Sequence, residues 1–327
     1  MKRTGLIAIA FVLVLGASAC GGGRDGGDQA GGAPAGTADS ELSGSIEADG
    51  SSTVGPFTTA AAEAFGREHS DVRVTVGISG TGGGFERFCR GETDLSNASR
   101  PIKDEEAELC EQSGVDFVEF HVVNDGLAVV VNPNNDWIDC MTVEQLNAIW
   151  QPGSKIDNWS EVPGGDYPDM PLTLAGPGTD SGTFDYFTET VNDEGGASRP
   201  DYQASEDDNV IVQAVSGSEG GLGYFGLSYV QENEGNIKAL PIENEAGECV
   251  EPSTETVQDG SYNPLGRPLF IYAKAASFER PEVQAFIQYV VDNNQQIAET
   301  ALYVPLTEEQ LTEAQSSLDE ALAEAGS

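Results

Sequence analysis

Three observations predict an α/β fold for this chain. Segments with strand character alternate with segments of helical periodicity along almost the whole sequence after residue 43. Three times a short apolar run leads through small residues into a helix start, at Asp49-Gly50-Ser51-Ser52-Thr53-Val54, Ser79-Gly80-Thr81-Gly82-Gly83-Gly84 and Gly176-Pro177-Gly178-Thr179-Asp180-Ser181-Gly182-Thr183. Residues 44–327 are enough to bury one large core or two medium ones. Strand, loop and helix start together aim unpaired N–H groups and the positive helix end at one point, a layout that holds anions. One such loop reads equally well as a flexible turn; its repetition points to a ligand. The loop Ser79-Gly80-Thr81 has no Lys before its Ser/Thr and no full GxGxxG pattern, so nucleotide-binding fingerprints fail.

The N-terminus reads as an export signal. Lys2 and Arg3 precede an apolar run over residues 6–15 that is short for a membrane span, and Ala17-Ser18-Ala19 lead to Cys20. This resembles a lipoprotein signal: residues 1–19 are the signal peptide, and Cys20 becomes the lipidated N-terminus. The expectation is a chain exported and anchored to the outer face of the cell membrane. Residues 20–43, mostly Gly, Ala, Asp, Ser and Thr, form a flexible tether.

The folded part begins with a strand at 45–48 and a helix at 57–68, capped by Thr53 or a neighbouring serine with Pro56 near its first turn. A strand at 72–76 enters the glycine loop, and a helix follows over 85–90. Residues 93–99 form a short strand ending in Ser99-Arg100-Pro101, 103–110 an acidic helix, and 115–123 an apolar strand. His121 near its end is read as structural, since no nucleophile or metal cluster lies near it. A separate buried strand over 126–132 is the candidate crossing into a second lobe. There follow a helix at 142–150, a strand at 172–175, helices at 184–191 and 209–216, and strands at 220–226 and 236–242. Trp150, Trp159 and Tyr167 are read as packing residues. The strand at 267–273 is the return crossing, and amphipathic helices at 281–298 and 307–323 close the chain.

Lys and Arg number 15 against 55 Asp and Glu, a formal net charge of −40. A surface this acidic excludes nucleic acid as a partner and opposes long-range attraction of anions. An anion site must therefore work through short-range hydrogen bonds. Adaptation to a salty habitat, where screening weakens self-repulsion, accounts for the acidity. Apart from Cys20, four cysteines remain, and an even number in an exported chain favours two disulfides. Three pairings are open; Cys89–Cys110 with Cys140–Cys249 is preferred, the first closing a local loop behind the glycine stretch. No CxxC occurs and the histidines are His69 and His121 alone, so neither zinc nor any cofactor is expected.

Four motifs in order make a specific resemblance: GSSTVGPF at 50–57, GISGTGGGF at 77–85, DLSNASRPI at 94–102 and GPGTDSGTF at 176–184. Together they resemble the phosphate-binding lipoproteins of bacterial phosphate ABC transporters, and SYNPLGRPLFIYA at 261–273 resembles that family's return strand. The resemblance implies a type II periplasmic-binding-protein fold, two α/β lobes with the ligand cleft between them: lobe I over 44–126 plus 262–327 and lobe II over 127–261. It implies a monomeric receptor that captures inorganic phosphate and delivers it to a membrane permease. Thr53, the Val54 N–H, Thr81 with Ser79 as alternate, Ser99 and Arg100 would contact phosphate from lobe I, and Ser181, the Gly182 N–H and Thr183 from lobe II. Arg100 is expected to be the main cation. The best-known branch has an acidic residue at Arg100 that accepts the phosphate proton, and an arginine at Pro177. Here the charge has moved from the second lobe to the first, as in another branch, and Asp180 is the candidate proton acceptor.

Two competing readings remain. The same fold could take sulfate, molybdate or tungstate. A hydrolase using Ser181 or Ser99 as nucleophile lacks a GxSxG elbow and has two histidines at most as base, so no enzyme is expected.

Overall fold

The structure, a computed structural model, describes residues 42–179 and 181–326. The export signal, Cys20 and Asp180 lie outside the described residues. The chain runs β1 (Gly44–Gly50), α1 (Gly55–Glu68), β2 (Val72–Val76), α2 (Gly80–Cys89), β3 (Leu95–Ala98), α3 (Asp104–Ser113) and β4 (Phe117–Val131). It continues with α4 (Val143–Trp150), β5 (Thr173–Gly176), α5 (Gly182–Asn192), β6 (Gln203–Ala204), α6 (Asp208–Ser216), β7 (Gly221–Gly226) and α7 (Ser228–Glu232). The last part is β8 (Lys238–Ala239), β9 (Ile242–Glu243), β10 (Cys249–Val250), α8 (Thr254–Gln258), β11 (Gly266–Lys274), α9 (Pro281–Asp292), α10 (Asn294–Thr300) and α11 (Glu308–Ala325).

The strands of the main sheet lie in the order β2-β1-β3-β11-β4-β7-β5-β6, with β8 also against β4. β1 pairs in parallel with β2 and β3, and β5 in parallel with β6 and β7. Between these two parallel halves stand the antiparallel strands β11 and β4. The two strands expected at 115–123 and 126–132 are one strand of 15 residues. Its first part pairs with β11, from Phe117↔Lys274 to Gly126↔Gly266, and its last part with β7, from Leu127↔Gly226 to Val131↔Leu222. The partner changes at Gly126, where a Cβ would stand 2.8 Å from a Val257 methyl. A side chain there would force apart the segments that meet at the crossing.

Two large apolar cores flank this switch, and a smaller cluster joins Phe85, Phe88, Val115 and Tyr272 around the Cys89–Cys110 disulfide. The first joins Ile46, Phe57, Leu95, Val123, Leu269, Phe286 and Leu318; the second joins Val129, Ile149, Trp150, Phe187, Leu222 and Tyr224. Within the second, Phe187 stacks on Tyr224 at 3.8 Å and Trp150 meets Tyr224 edge-on at 5.0 Å, so Trp150 is a packing residue. Disulfides join Cys89 to Cys110 and Cys140 to Cys249. They close loops of 21 and 109 residues, of the length for which cross-linking contributes about 3–5 kcal/mol by constraining the unfolded chain.

Three element boundaries differ from the sequence expectation, each for a packing reason. The helix expected over 281–298 divides at Asn293, because Asn294 is buried. Its side chain donates to the Val122 carbonyl at 2.5 Å and accepts from the Leu306 N–H at 3.1 Å. The strand expected over 236–242 breaks into β8 and β9 around Pro241, which has no N–H for a ladder. The glycine run after β2 is helix, since α2 begins at Gly80 rather than at Phe85. A Cβ on Gly84 would stand 2.5 Å from the Gly50 Cα, so the glycines let α2 lie directly against the end of β1. Glycine disfavours helix by about 1 kcal/mol per residue, and close packing outweighs that here. Gly84→Ala is therefore expected to destabilise the protein by about 1–3 kcal/mol in urea denaturation, because the clash is with backbone; a loss below about 0.5 kcal/mol would show that α2 can move away at little cost.

Candidate functional site

The N-termini of α1, α2 and α5 follow the C-terminal ends of β1, β2 and β5, where ligands of open α/β sheets bind. The first-core loops meet at Gly50, whose φ of 140° is one that residues with side chains rarely adopt. The Ser79 N–H donates to the Gly50 carbonyl at 3.1 Å, and the Ser51 N–H to the Asn97 carbonyl at 2.9 Å. The Thr81 and Ser99 hydroxyls lie 2.9 Å apart, and the Ser99 N–H donates to Thr81 Oγ1 at 3.2 Å. Ser79 stands at the exposed start of α2, with no hydrogen bond from its side chain to the helix.

The β1–α1 loop is built differently from the expected cap. Val54 occupies the N-cap position of α1 without a side-chain bond, and Ser51 Oγ accepts from the Thr53 and Val54 N–H groups at 3.2 and 3.4 Å. Thr53 is thereby freed from capping. It is buried, its carbonyl accepts from the Tyr303 hydroxyl, and its Oγ1 accepts from Arg267 Nη2 at 3.0 Å.

From the second core, α5 arrives with Ser181 as N-cap, its Oγ accepting the Thr183 N–H at 3.2 Å. The helix start touches the first-core loop: a Cβ on Gly182 would lie 3.2 Å from the Thr53 Cα. Ser52 Oγ donates to Asp185 Oδ2 across the cleft at 2.8 Å. A side chain at Gly182 would require the Ser52–Thr53 backbone to give by a few tenths of an ångström. A groove of about 680 Å³ along the cleft mouth is lined by Ser52, Pro56, Ile78, Gly182 and Leu302.

Arg100 is not free to face this point. Its guanidinium forks onto both carboxylate oxygens of Glu106 at 2.8 Å and donates to the Pro101 carbonyl at 3.1 Å. Burial would raise the Glu106 pKa, but the Arg100 bonds and the Lys103 N–H hold it below the ordinary carboxylate value. Arg87 pairs with Asp49 at the end of β1, and the basic side chain that reaches Thr53 is Arg267, at the start of β11, for which no role was expected. It is 14% exposed, its guanidinium lies 3.4 Å over the Tyr186 ring of α5, and Asp125 and Glu189 oxygens stand 3.7 Å away. Burial raises the Asp125 carboxyl against the pull of Arg267. The signal available in the sequence was GRPL at the return strand, a charged residue entering an otherwise apolar strand at a lobe crossing.

Two lobes sharing crossing strands, with helix N-termini closing on each other across the cleft, define the class of two-lobed type II periplasmic-binding-protein folds. The profile of the PBP superfamily domain matches residues 35–294. Protein SphX of Synechococcus elongatus is 45% identical over 263 residues, 80% of this chain and 77% of that protein. The phosphate-binding protein PstS of Staphylococcus saprophyticus is 40% identical over 318 residues, 97% of this chain and 93% of that protein. The crystal structure of "a possible phosphate binding protein" from Planctomyces limnophilus superposes with a TM-score of 0.83 at 47% identity, covering 86% of this chain and 99% of that one. The chain belongs to the PBP superfamily, in the family of the PstS phosphate-binding proteins and SphX.

Thr81 carries the first-core hydroxyl pair. Thr81→Val keeps the shape but leaves the Ser99 N–H unpaired, which is expected to cost about 1–3 kcal/mol of unfolding free energy in the ligand-free protein, with Thr81→Ser near the parent. Equal stability of all three proteins would show that the pair is not formed.

Proposed function

We propose that this chain is an extracytoplasmic solute-binding protein that captures inorganic phosphate between its lobes and delivers it to the permease of an ABC transporter. The observation that carries the reading is the convergence of helix N-termini from both cores on Thr53: α1 and α2 through Gly50, α5 through Gly182. A desolvated oxyanion needs many neutral donors and few cations, and this corner supplies hydroxyls and N–H groups. The relatives named as phosphate-binding proteins agree in substrate.

In this reading lobe I is 44–126 with 262–327 and lobe II is 127–261. Thr53, Thr81 and Ser99 present hydroxyls from one side, with the Val54 N–H exchanging its long bond to Ser51 for the ligand. Ser181, the Gly182 N–H and Thr183 present theirs from the other. Ser79 is an alternate donor at the cleft edge and Asp180 accepts the phosphate proton, while Arg100, expected from the sequence as the main cation, is engaged by Glu106 and is not counted among the ligands. Lipidated Cys20 anchors the monomer at the membrane, and binding occurs without turnover.

Calorimetric titration of ligand-stripped protein with phosphate, sulfate, molybdate and tungstate tests the reading. Phosphate alone is expected to give heat and, at a hundredfold excess over Kd, to raise stability by about 2.7 kcal/mol. A chromogenic phosphate monoester is expected to release no product. Heat with sulfate and none with phosphate overturns the substrate, and product release lost in Ser181→Ala overturns binding without turnover.

A further inference from the structure

We propose that Arg267, rather than Arg100, is the oxyanion-facing cation of the cleft. The inference rests on the phosphate reading and deepens it. A guanidinium carries five N–H donors, and a buried one is normally saturated, because an unpaired buried donor loses its hydration without compensation. Arg199 shows the saturated case in this same molecule. It is 4% exposed; Nε and Nη2 fork onto Asp201 at 2.6 and 3.0 Å, and Nη1 donates to the Ile149 and Ile156 carbonyls at 3.0 and 2.8 Å. Arg100 is likewise engaged by Glu106 and Pro101.

Arg267 is different. Among the described residues its hydrogen bond is the one from Nη2 to Thr53 Oγ1, and its Nε is buried without a hydrogen-bond partner. Asp125 and Glu189 neutralise it from 3.7 Å, beyond hydrogen-bond reach, and the Glu189 side chain is largely exposed. The guanidinium has therefore been desolvated and charge-balanced while its donors are left underused.

Its orientation is fixed from below. Stacking on Tyr186 holds the guanidinium over the ring, and the Tyr186 hydroxyl is in turn held by the Pro264 carbonyl at 2.7 Å. A stacked guanidinium presents its N–H groups sideways, in its own plane. One of them already meets Thr53, the residue against which Gly182 of α5 closes. An oxyanion held by Thr53 and the α5 N-terminus comes within reach of that edge. In a chain whose net charge of −40 repels anions at long range, a short-range buried cation is the form of attraction that remains effective.

The test is phosphate titration of the ligand-stripped mature protein and its Arg267→Gln, Arg267→Lys and Arg100→Gln variants, with melting of each ligand-free form. Arg267→Gln is expected to lose about thirtyfold in affinity or more, the loss seen when one partner of a buried charge pair is removed. Arg267→Lys keeps the charge but not the planar fork and is expected to lose roughly fivefold. Arg100→Gln is expected to stay within about threefold, as for a charge engaged elsewhere. A hinge pin without ligand contact would lower ligand-free melting while leaving the phosphate-induced shift intact; the expected pattern is the reverse. Binding by Arg267→Gln within about threefold of the parent overturns the assignment, as does an equal or larger loss in Arg100→Gln. Should Arg267→Gln fail to fold, undiminished binding by Arg267→Lys overturns it. A parent that gives no heat with phosphate overturns the functional reading and the assignment with it, whereas a binding parent with a binding Arg267→Gln overturns the assignment alone.

Discussion

One continuous strand carries the constraint on which the rest depends. β4 hydrogen-bonds β11 up to Gly126 and β7 from Leu127, so both parallel half-sheets are built outward from a single stretch of backbone. At the change of partner the Gly126 carbonyl accepts from the Leu227 N–H at 2.8 Å. The Leu127 N–H donates to the Leu265 carbonyl at 2.8 Å, and the Leu127 carbonyl accepts from the Tyr262 hydroxyl at 3.0 Å. Asn124 exchanges both backbone bonds with Val304. Saturation of buried backbone is a near-universal condition, and these bonds serve it at the crossing. Arg267 and Asp125 sit opposite each other one residue before the switch.

The acidity of the chain and the hydroxyl and N–H lining of the cleft loops follow from one physical rule. Exposed charges are screened by salt and solvent, so carboxylates can be added to the surface at little cost to a short-range site. Buried charges are not screened, and each requires its own answer. Arg199 is answered by carbonyls and Asp201, and Arg100 by Glu106. The loops at Gly50 and Gly182 use hydroxyls and backbone N–H groups, which need no counter-charge when the cleft is empty and still stabilise an anion when it is full.

Much of the fold was legible because its signals are local. Periodicity locates β1, β2, α4, α5, α6, β7 and β11 to within a few residues. The misses are tertiary. The glycines of 80–84 read as a loop by propensity, but the approach of Gly84 to the Gly50 backbone selects helix. Asn294 splits a helix whose apolar pattern is uninterrupted, because two backbone groups of other segments need its side chain. β4 reads as two strands because Asn124-Asp125-Gly126 is polar and flexible in sequence, yet those residues are held on both sides by β11 and Val304.

The placement of cations shows most clearly where sequence reading stops. Arg100 follows Ser99 at the end of β3, which by local pattern makes it a ligand, but α3 begins at once and decides otherwise. Glu106 folds back to accept the Lys103 N–H at 2.9 Å, as a helix-start carboxylate does, and in that position its two oxygens meet the Arg100 fork. At position 177, where the best-known branch has an arginine, this chain has Pro177, and the flank of α5 offers the face of Tyr186. Arg267 stacks there from the crossing strand. A cation so placed belongs to the crossing strand and not to either of the loops bearing Thr53 and Gly182. Its position is set by a register between β4 and β11 and by a contact between segments far apart in sequence, neither of which any run of consecutive residues records.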